Sequence, residues 1–137
     1  MTIILKKQDY DEILAHCLIS LPNEACGLLG GRSDGEVKTV EKVYLLTNID
    51  QSPEHFSLDT KEQFAVIKDI RSRNEVMLGN FHSHPNTPSR PSEEDKRLAF
   101  DSEVSYLILS LQAKGNPVLK SFRIKPAGVF EEELQII

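Results

Sequence analysis

The chain of 137 residues contains no tryptophan and little cysteine. Its two cysteines, Cys17 and Cys26, are not spaced as a CxxC pair and are too few for a disulfide framework. A single domain of this length buries roughly two thirds of its unfolded surface, so it needs neither a disulfide nor a metal to hold a core. Cys17 lies on an apolar helical stripe, and we predict that it is a small core residue.

Positive charge is also scarce. The chain has 16 lysines and arginines against 21 acidic residues, the basic residues are scattered, and the net charge is −5. Because nucleic acids and anionic membranes attract clustered cations, we expect neither as a partner. The aliphatic run near the start, Ile3–Leu5, is far shorter than the apolar region of a signal peptide, and no run approaches the length of a membrane span. We therefore expect a cytoplasmic protein.

Internal repeats, low-complexity tracts and linkers are absent, so we predict one domain over residues 1–137. Helical periodicity predicts helices at 8–21 and 60–73, and a capping pattern predicts a short third helix at 92–100. The predicted inner faces are Tyr10, Ile13, Leu14, Cys17, Leu18 and Leu21 in the first helix, and Phe64, Val66, Ile67 and Ile70 in the second. Strands are predicted at 25–31, 36–47, 76–81, 103–111, 117–124 and 128–136. The fold class is α/β, a mixed sheet with two or three helices, and the glycines of 25–31 indicate close backbone approach or a turn.

The stretch from Gly79 to Phe100, GNFHSHPNTPSRPSEEDKRLAF, is unusual for a plain strand and loop. Strand side chains alternate between faces, so His82 and His84 should emerge on one side with Ser83 pointing away. Two imidazoles at that spacing can hold one metal ion. Pro85 lacks an N–H and should end the strand.

A carboxylate follows the second histidine by 11 residues, at Asp95 in the first turn of the third helix. Two histidines and one carboxylate make a three-ligand set with an open position, which is typical of catalytic zinc. Hydrolysis by zinc-bound water also needs a general base that is not a ligand. Glu24, which lies 58 residues before His82 at a predicted helix-to-strand junction, is the candidate.

Taken singly, each of these residues has a structural explanation. A lone HxH is more often a surface pair than a site, Ser92 with Asp95 is an adequate capping pair, and an isolated glutamate is usually solvated. His16 and His55 are predicted to be structural or exposed. The ordered combination is what points to a site.

That combination resembles the JAMM, or MPN-plus, metalloprotease family. The resemblance rests on Glu24 in E-x-C-G-x-L-x-G, on His82-Ser83-His84-Pro85 and on Ser92-x-x-Asp95, and it covers essentially the whole chain. It implies a cytidine-deaminase-like three-layer arrangement and one Zn²⁺ per chain, held by His82, His84 and Asp95. It further implies that Glu24 is the general base and then acid, and that Ser92 donates to the oxyanion.

The resemblance also implies a substrate class. Members of the family cleave amide or isopeptide bonds after the C-terminal glycine of ubiquitin or ubiquitin-like proteins, and the compact prokaryotic branch includes enzymes that release an amino acid from a sulfur-carrier protein. We therefore expect a partner with a Gly-Gly C-terminus, whose extended tail could add to a sheet edge. The loops around the site are short, as in that branch.

Other classes remain open. A non-catalytic MPN scaffold would resemble this chain, although scaffold versions typically lose ligands and this chain keeps them all. Two histidines and a carboxylate also describe non-haem Fe(II) oxygenases, but those enzymes usually have all-β barrels. A zinc deaminase is disfavoured because no P-C-x-x-C element is present. The sequence leaves open whether the chain forms a homodimer.

Overall fold

The computed structural model describes residues 1–137 and contains one mixed sheet and three helices, as predicted. All six predicted strands are present, but the sequence analysis missed a further short strand at the N-terminus, because four residues are too few to show alternation. The elements in chain order are β1 Thr2–Leu5, α1 Lys7–Ser20, β2 Cys26–Ser33, β3 Val37–Leu46, α2 Thr60–Ser72, β4 Val76–His84, α3 Glu93–Arg97, β5 Ser105–Ser110, β6 Val118–Lys125 and β7 Gly128–Ile136.

The seven strands form a closed barrel in the order β1-β3-β2-β4-β5-β6-β7. The strand that the sequence analysis missed closes it, since β1 pairs in parallel with both β3 and β7. Every strand therefore has two partners, but β1 pairs with β3 only at Val37, Lys38 and Thr39, so the later residues of β3 keep an edge that no strand covers. The expectation that a substrate tail adds to a sheet edge stays a prediction. The cytidine-deaminase-like layering stays a prediction, because the sheet curves into a barrel.

Two apolar clusters lie on opposite faces of the sheet. Successive residues of a strand face opposite sides. In β2, Leu29 belongs to one cluster, called the inner cluster here, and Leu28 belongs to the other, called the outer cluster. The inner cluster contains Ile13 and Cys17 of α1, and the outer cluster contains Val66 and Ile70 of α2. The two longer helices thus pack on opposite faces of the same strands.

The predicted inner faces of the helices are partly wrong. Cys17 is fully buried, as predicted, but Leu18 and Leu21 at the end of α1 are largely exposed. In α2, Phe64 is 67% exposed, because it lies about 200° around the helix from the buried Val66. None of the three helices is long and apolar enough to cross a membrane.

The predicted close backbone approach occurs at Gly27 in β2. A Cβ there would lie 2.1 Å from Cε2 of Phe81 and 2.2 Å from the carbonyl oxygen of Tyr44, and backbone has little freedom to move away. We expect Gly27→Ala to lower the free energy of unfolding by about 3 kcal/mol, measured by urea denaturation. Gly30→Ala on the same strand should cost less, because its nearest neighbour is the Ile70 side chain at 3.0 Å. Equal losses for the two variants would contradict this packing argument.

Candidate metal centre and active site

The two histidines of the HSH motif end β4 and are both buried. Their side chains share a face, while Ser83 points to the other side and its Oγ accepts a hydrogen bond of 2.8 Å from the backbone N–H of Ala25. Pro85 follows the last strand residue, as predicted. The period of the strand therefore presents His82 and His84 together.

The proline-rich loop 85–91 is hydrogen-bonded to β5. The Ser89 hydroxyl donates to the Ile108 carbonyl at 2.7 Å, and the Ser110 hydroxyl donates to the Thr87 carbonyl at 2.6 Å. These bonds fix the return path of the chain, so that α3 begins close to the end of β4. The loop is thus a rigid connection between the histidines and the third predicted ligand.

The capping pattern predicted at Ser92 is present as a complete capping box. The Ser92 hydroxyl oxygen accepts from the Asp95 N–H at 3.0 Å, and the Ser92 N–H donates to Asp95 Oδ2 at 2.9 Å. Helix α3 is shorter than predicted and ends at Arg97. The Ser92 hydroxyl hydrogen is not used by these bonds, so it remains available as a donor.

The three predicted ligands converge. Nε2 of His82 and Nε2 of His84 are 3.1 Å apart, and Asp95 Oδ2 is 3.2 Å from the first and 3.1 Å from the second. Ligand atoms about 2.05 Å from a tetrahedral zinc ion are about 3.3 Å apart. The nitrogen and oxygen donors thus fit a zinc ion in both chemical type and spacing.

The surroundings of the two imidazoles are consistent with metal binding. Nδ1 of His84 lies 2.9 Å from the Pro88 carbonyl, which only accepts, so Nδ1 carries a hydrogen and Nε2 is the ring nitrogen left to bind a metal. The His82 ring stacks on Phe56 with centroids 4.7 Å apart. Nδ1 of His82 is buried without a hydrogen-bond partner. Packing by Phe56 therefore orients His82, whereas a backbone hydrogen bond orients His84.

The electrostatics favour an ionised carboxylate among the imidazoles. Burial alone would raise the pKa of Asp95, but hydrogen bonds from His82, His84 and the Ser92 N–H hold it well below its usual range. Burial would lower the pKa of His84, but the bonds to Asp95 and to the Pro88 carbonyl raise it. A negative charge therefore stands where a cation would bind.

Glu24 reaches this group through the pairing of β2 with β4. Cys26 lies opposite His82 in that antiparallel ladder, and extending the register by two residues sets Glu24 opposite His84, on the same face. Glu24 is only 5% exposed, and it lines one cleft together with His82 and Asp95. The structure thus brings the upstream acid beside the predicted ligands.

The protonation of Glu24 depends on its neighbours. Burial raises its pKa to about 8, and the Asp95 charge adds to this, while His84 acts in the opposite direction. A cation held by His82, His84 and Asp95 would favour the ionised carboxylate. Glu24 is thus poised to exchange a proton near neutral pH, which is the property that a general base needs.

The loop 47–59 between β3 and α2 holds Glu24 in place, a role that the sequence did not predict. The Asn48 amide donates to the carbonyls of Glu24 at 3.0 Å and His55 at 2.9 Å, and the Glu24 N–H donates to the Ser52 carbonyl at 2.8 Å. Phe56 belongs to the same loop. No sequence signal marks these roles, because each depends on a contact between distant segments.

The other two histidines differ in their roles. His16 is structural, as expected, because its Nε2 lies within hydrogen-bond distance of the carbonyls of Cys26 and Leu46. His55 contacts Glu94, with Nδ1 and Oε2 2.6 Å apart, and both residues line the cleft. His55 therefore links the 47–59 loop to α3.

The cleft has a volume of about 370 Å³ and runs over β4 between the 47–59 loop and α3. Glu24, His82 and Asp95 face into it. Its remaining lining is Glu54, His55, Phe56, Ser57, Leu58, Gln63, Asn80, Glu94, Leu98, Phe100, Tyr106, Ile108 and Ile124. The candidate metal group is thus accessible to a ligand the size of a few residues.

Known proteins resemble this chain over most of its length. It is 29% identical over 135 residues to the CysO-cysteine peptidase of Mycobacterium tuberculosis, covering 98% of this chain and 91% of that protein. It is 32% identical over 105 residues to a desampylase of Haloferax volcanii, covering 73% and 74%. A probable TtuB-protein conjugate cleaving protease of Thermus thermophilus is 33% identical over 86 residues, covering 62% and 55%.

A solved structure shows the same fold. Protein DSY2949 of Desulfitobacterium hafniense superposes with a TM-score of 0.90 at 59% identity, covering 100% of this chain and 93% of that one. The family described as prokaryotic homologues of the JAB domain matches residues 6–125. The chain therefore belongs to the prokaryotic branch of the JAB, or JAMM/MPN, family.

Proposed function

We propose that this chain is a single-domain zinc metallopeptidase, with one Zn²⁺ held by His82, His84 and Asp95. It hydrolyses the amide or isopeptide bond that follows the C-terminal glycine of a ubiquitin-like protein, either a sulfur carrier extended by an amino acid or a small protein modifier. The observation that carries the proposal is the convergence of two imidazoles, one carboxylate and a separate buried acid in one cleft. The cytoplasm remains the expected location.

The relatives support the substrate class. One of them is named a CysO-cysteine peptidase and another a TtuB-protein conjugate cleaving protease. Both names describe a peptidase or protease, and one describes cleavage of a protein conjugate. The CysO-cysteine peptidase aligns over 98% of this chain and 91% of its own length, which supports the proposal that this one domain carries the activity.

The residues of this chain have distinct roles in the proposed reaction. Bound zinc would lower the pKa of a coordinated water to about 7 and polarise the scissile carbonyl. Glu24 accepts a proton from the attacking water and delivers it to the leaving nitrogen. The C–N bond breaks, hydroxyl adds to the glycine carbonyl carbon, and the products are a carboxylic acid and an amine. The free hydroxyl hydrogen of Ser92 stabilises the carbonyl oxygen as it gains negative charge.

Intact-mass spectrometry tests this proposal. The substrates are a ubiquitin-like sulfur-carrier protein that ends in Gly-Gly and is extended by a short peptide, and the same protein joined through an isopeptide bond to a lysine. We expect the zinc-loaded protein to remove both extensions at the glycine. Loss of neither extension, with zinc content verified, would disprove peptidase activity on this class and favour a binding module.

The alternatives make different predictions. A non-catalytic MPN scaffold would bind such a carrier without changing its mass. An Fe(II) oxygenase would require iron and O₂, and the family to which the chain belongs gives no support for that class. The closed barrel weakens the fold argument against an oxygenase, but an oxygenase has no use for the buried Glu24 beside the ligands.

Asn48 is expected to position Glu24 without touching the substrate. Asn48→Ala removes the hydrogen bond to the Glu24 carbonyl and three bonds that order its own loop. We expect kcat to fall by about tenfold, the effect of a small misplacement of a catalytic group, while KM and zinc stoichiometry stay unchanged.

The matched control for this prediction is Thr47→Ala. The Thr47 hydroxyl bonds Glu62 on α2 rather than Glu24. This variant should keep kcat within a factor of about two. An equal loss of kcat in both variants would show that the effect comes from disturbing the whole loop and not from losing the hydrogen bond between Asn48 and the Glu24 carbonyl.

A further inference from the structure

The cleft continues past the candidate metal group along the outer face of the barrel. Asn80 and His82 lie on one face of β4, and their partners on β5 are Tyr106 and Ile108. Asn80 is two residues from His82, which is about 7 Å along a strand. Together with Ile124, Leu98 and Phe100, these residues make a mainly apolar chamber beside the site.

The Asn80 side chain is the polar group on the floor of this chamber. Its Oδ1 is buried without a hydrogen-bond partner, and its amide nitrogen makes no hydrogen bond within the chain. An amide can both donate to and accept from another amide, whereas a carboxylate offers only acceptors. Asn80 therefore offers a peptide or carboxamide group a neutral partner, and it offers a carboxylate no positive charge.

The carboxylates of the cleft give it a negative character. Glu54 and Glu94 line the cleft in addition to Glu24 and Asp95, and its lining contains neither lysine nor arginine. Two positive charges on zinc would offset Glu24 and Asp95. Glu54 and Glu94 would remain, and the His55 ring is in contact with Glu94. A free carboxylate entering here meets repulsion.

We propose that this chamber is the leaving-group subsite and that it selects leaving groups whose carboxyl group is uncharged, namely a lysine side chain of a conjugated protein or a chain that continues as a peptide. A single terminal amino acid, with its free carboxylate, is disfavoured. The two glycines before the scissile bond have no side chains to fill such a space, so it suits the released residue. This inference rests on the proposed function.

Three substrates that differ only in the leaving group test the selectivity. Each is the same Gly-Gly-ending sulfur-carrier protein, carrying alanine as the free acid, alanine as the carboxamide, or an isopeptide-linked lysine peptide. Alanine avoids a thiol that would itself bind zinc. We expect kcat/KM for the carboxamide and the isopeptide to exceed that for the free acid by about threefold to tenfold at low salt, with the gap shrinking as salt screens the exposed carboxylates.

Variants of the cleft residues identify which side chains cause the difference in kcat/KM between the carboxamide and the free acid. Glu54→Gln and Glu94→Gln should each reduce the ratio of kcat/KM for the carboxamide to kcat/KM for the free acid. Glu93→Gln, an exposed neighbour outside the cleft, should leave the gap unchanged. Asn80→Leu should raise KM for the carboxamide and the free acid alike, because the Asn80 amide can donate to either.

The possible failures are distinguishable. Hydrolysis of the free acid as fast as the carboxamide, or faster, would overturn the selectivity while leaving the peptidase proposal intact. A gap that persists in both Glu54→Gln and Glu94→Gln would also overturn it, since these carboxylates would then not cause the preference. Hydrolysis of none of the three substrates would overturn the proposed function, and the inference with it.

Discussion

Replacement of Glu24 by glutamine should lower kcat by about 10² to 10⁴-fold, the usual contribution of general acid–base catalysis. Glutamine has nearly the same shape but cannot carry a proton between the water and the leaving nitrogen. The predicted ligands His82, His84 and Asp95 are untouched, so zinc should still bind at one ion per chain. Single-turnover hydrolysis of a carrier with a C-terminal extension, together with metal analysis of the same sample, measures both quantities.

The control for this variant is Glu36→Gln, which makes the same chemical change at an exposed turn. That variant should keep wild-type kcat, because its carboxylate lies outside the cleft. Full activity of Glu24→Gln with zinc bound would show that another group moves the proton. Loss of both zinc and activity would instead mean that Glu24 supports metal binding, and the assignment of ligand and base would need to be exchanged.

The parts of the site that the sequence predicted are those fixed by local geometry. The two-residue period of a strand places His82 and His84 on one face whatever the rest of the fold does. The capping box at Ser92 fixes the direction of the Asp95 carboxylate in a similar way, because it depends on residues three apart. Short-range rules therefore predict how each ligand is oriented, while the bonds of the 85–91 loop to β5 bring Asp95 to the histidines.

The parts that the sequence did not predict depend on pairing between distant segments. Glu24 comes beside His84 only because of the register between β2 and β4, and neither strand encodes that register alone. The roles of Asn48 and Phe56 depend on where the 47–59 loop folds. Barrel closure depends on β1, whose four residues are too few to show a period. The resemblance to a family supplied Glu24, and local reasoning alone would have left it as a solvated acid.

The error in α2 has a simple physical cause. Phe64, Val66, Ile67 and Ile70 are all apolar, and two overlapping helical stripes can be drawn through them. The outer face of β2 and β3 accepts the stripe of Val66 and Ile70, which join the cluster of Tyr44. Phe64 is left facing solvent, since a helix can present only one such stripe to the sheet.

Removal of one imidazole from the metal group is the second large effect that we expect. His84→Ala leaves one histidine and one carboxylate, and we expect zinc affinity to fall by more than about a hundredfold, since loss of a direct ligand should exceed the loss of a supporting group. Hydrolysis should fall to background at micromolar zinc. Metal analysis after dialysis and the thermal shift on adding zinc measure the change.

The thermal shift separates metal binding from general damage to the fold. A ligand that binds only the folded state stabilises it by about 2.7 kcal/mol at a hundred times its Kd, so wild-type protein should melt higher with zinc, and chelation should reverse the gain. His84→Ala should show no zinc-dependent gain. His16→Ala also removes a partly buried imidazole, and its lost bonds to the carbonyls of Cys26 and Leu46 should lower the melting temperature without zinc. It should nevertheless retain the full zinc-dependent gain. A zinc-dependent gain in His84→Ala equal to that of wild type would show that the ion binds elsewhere, because two ligands and a cleft cannot retain the affinity of three.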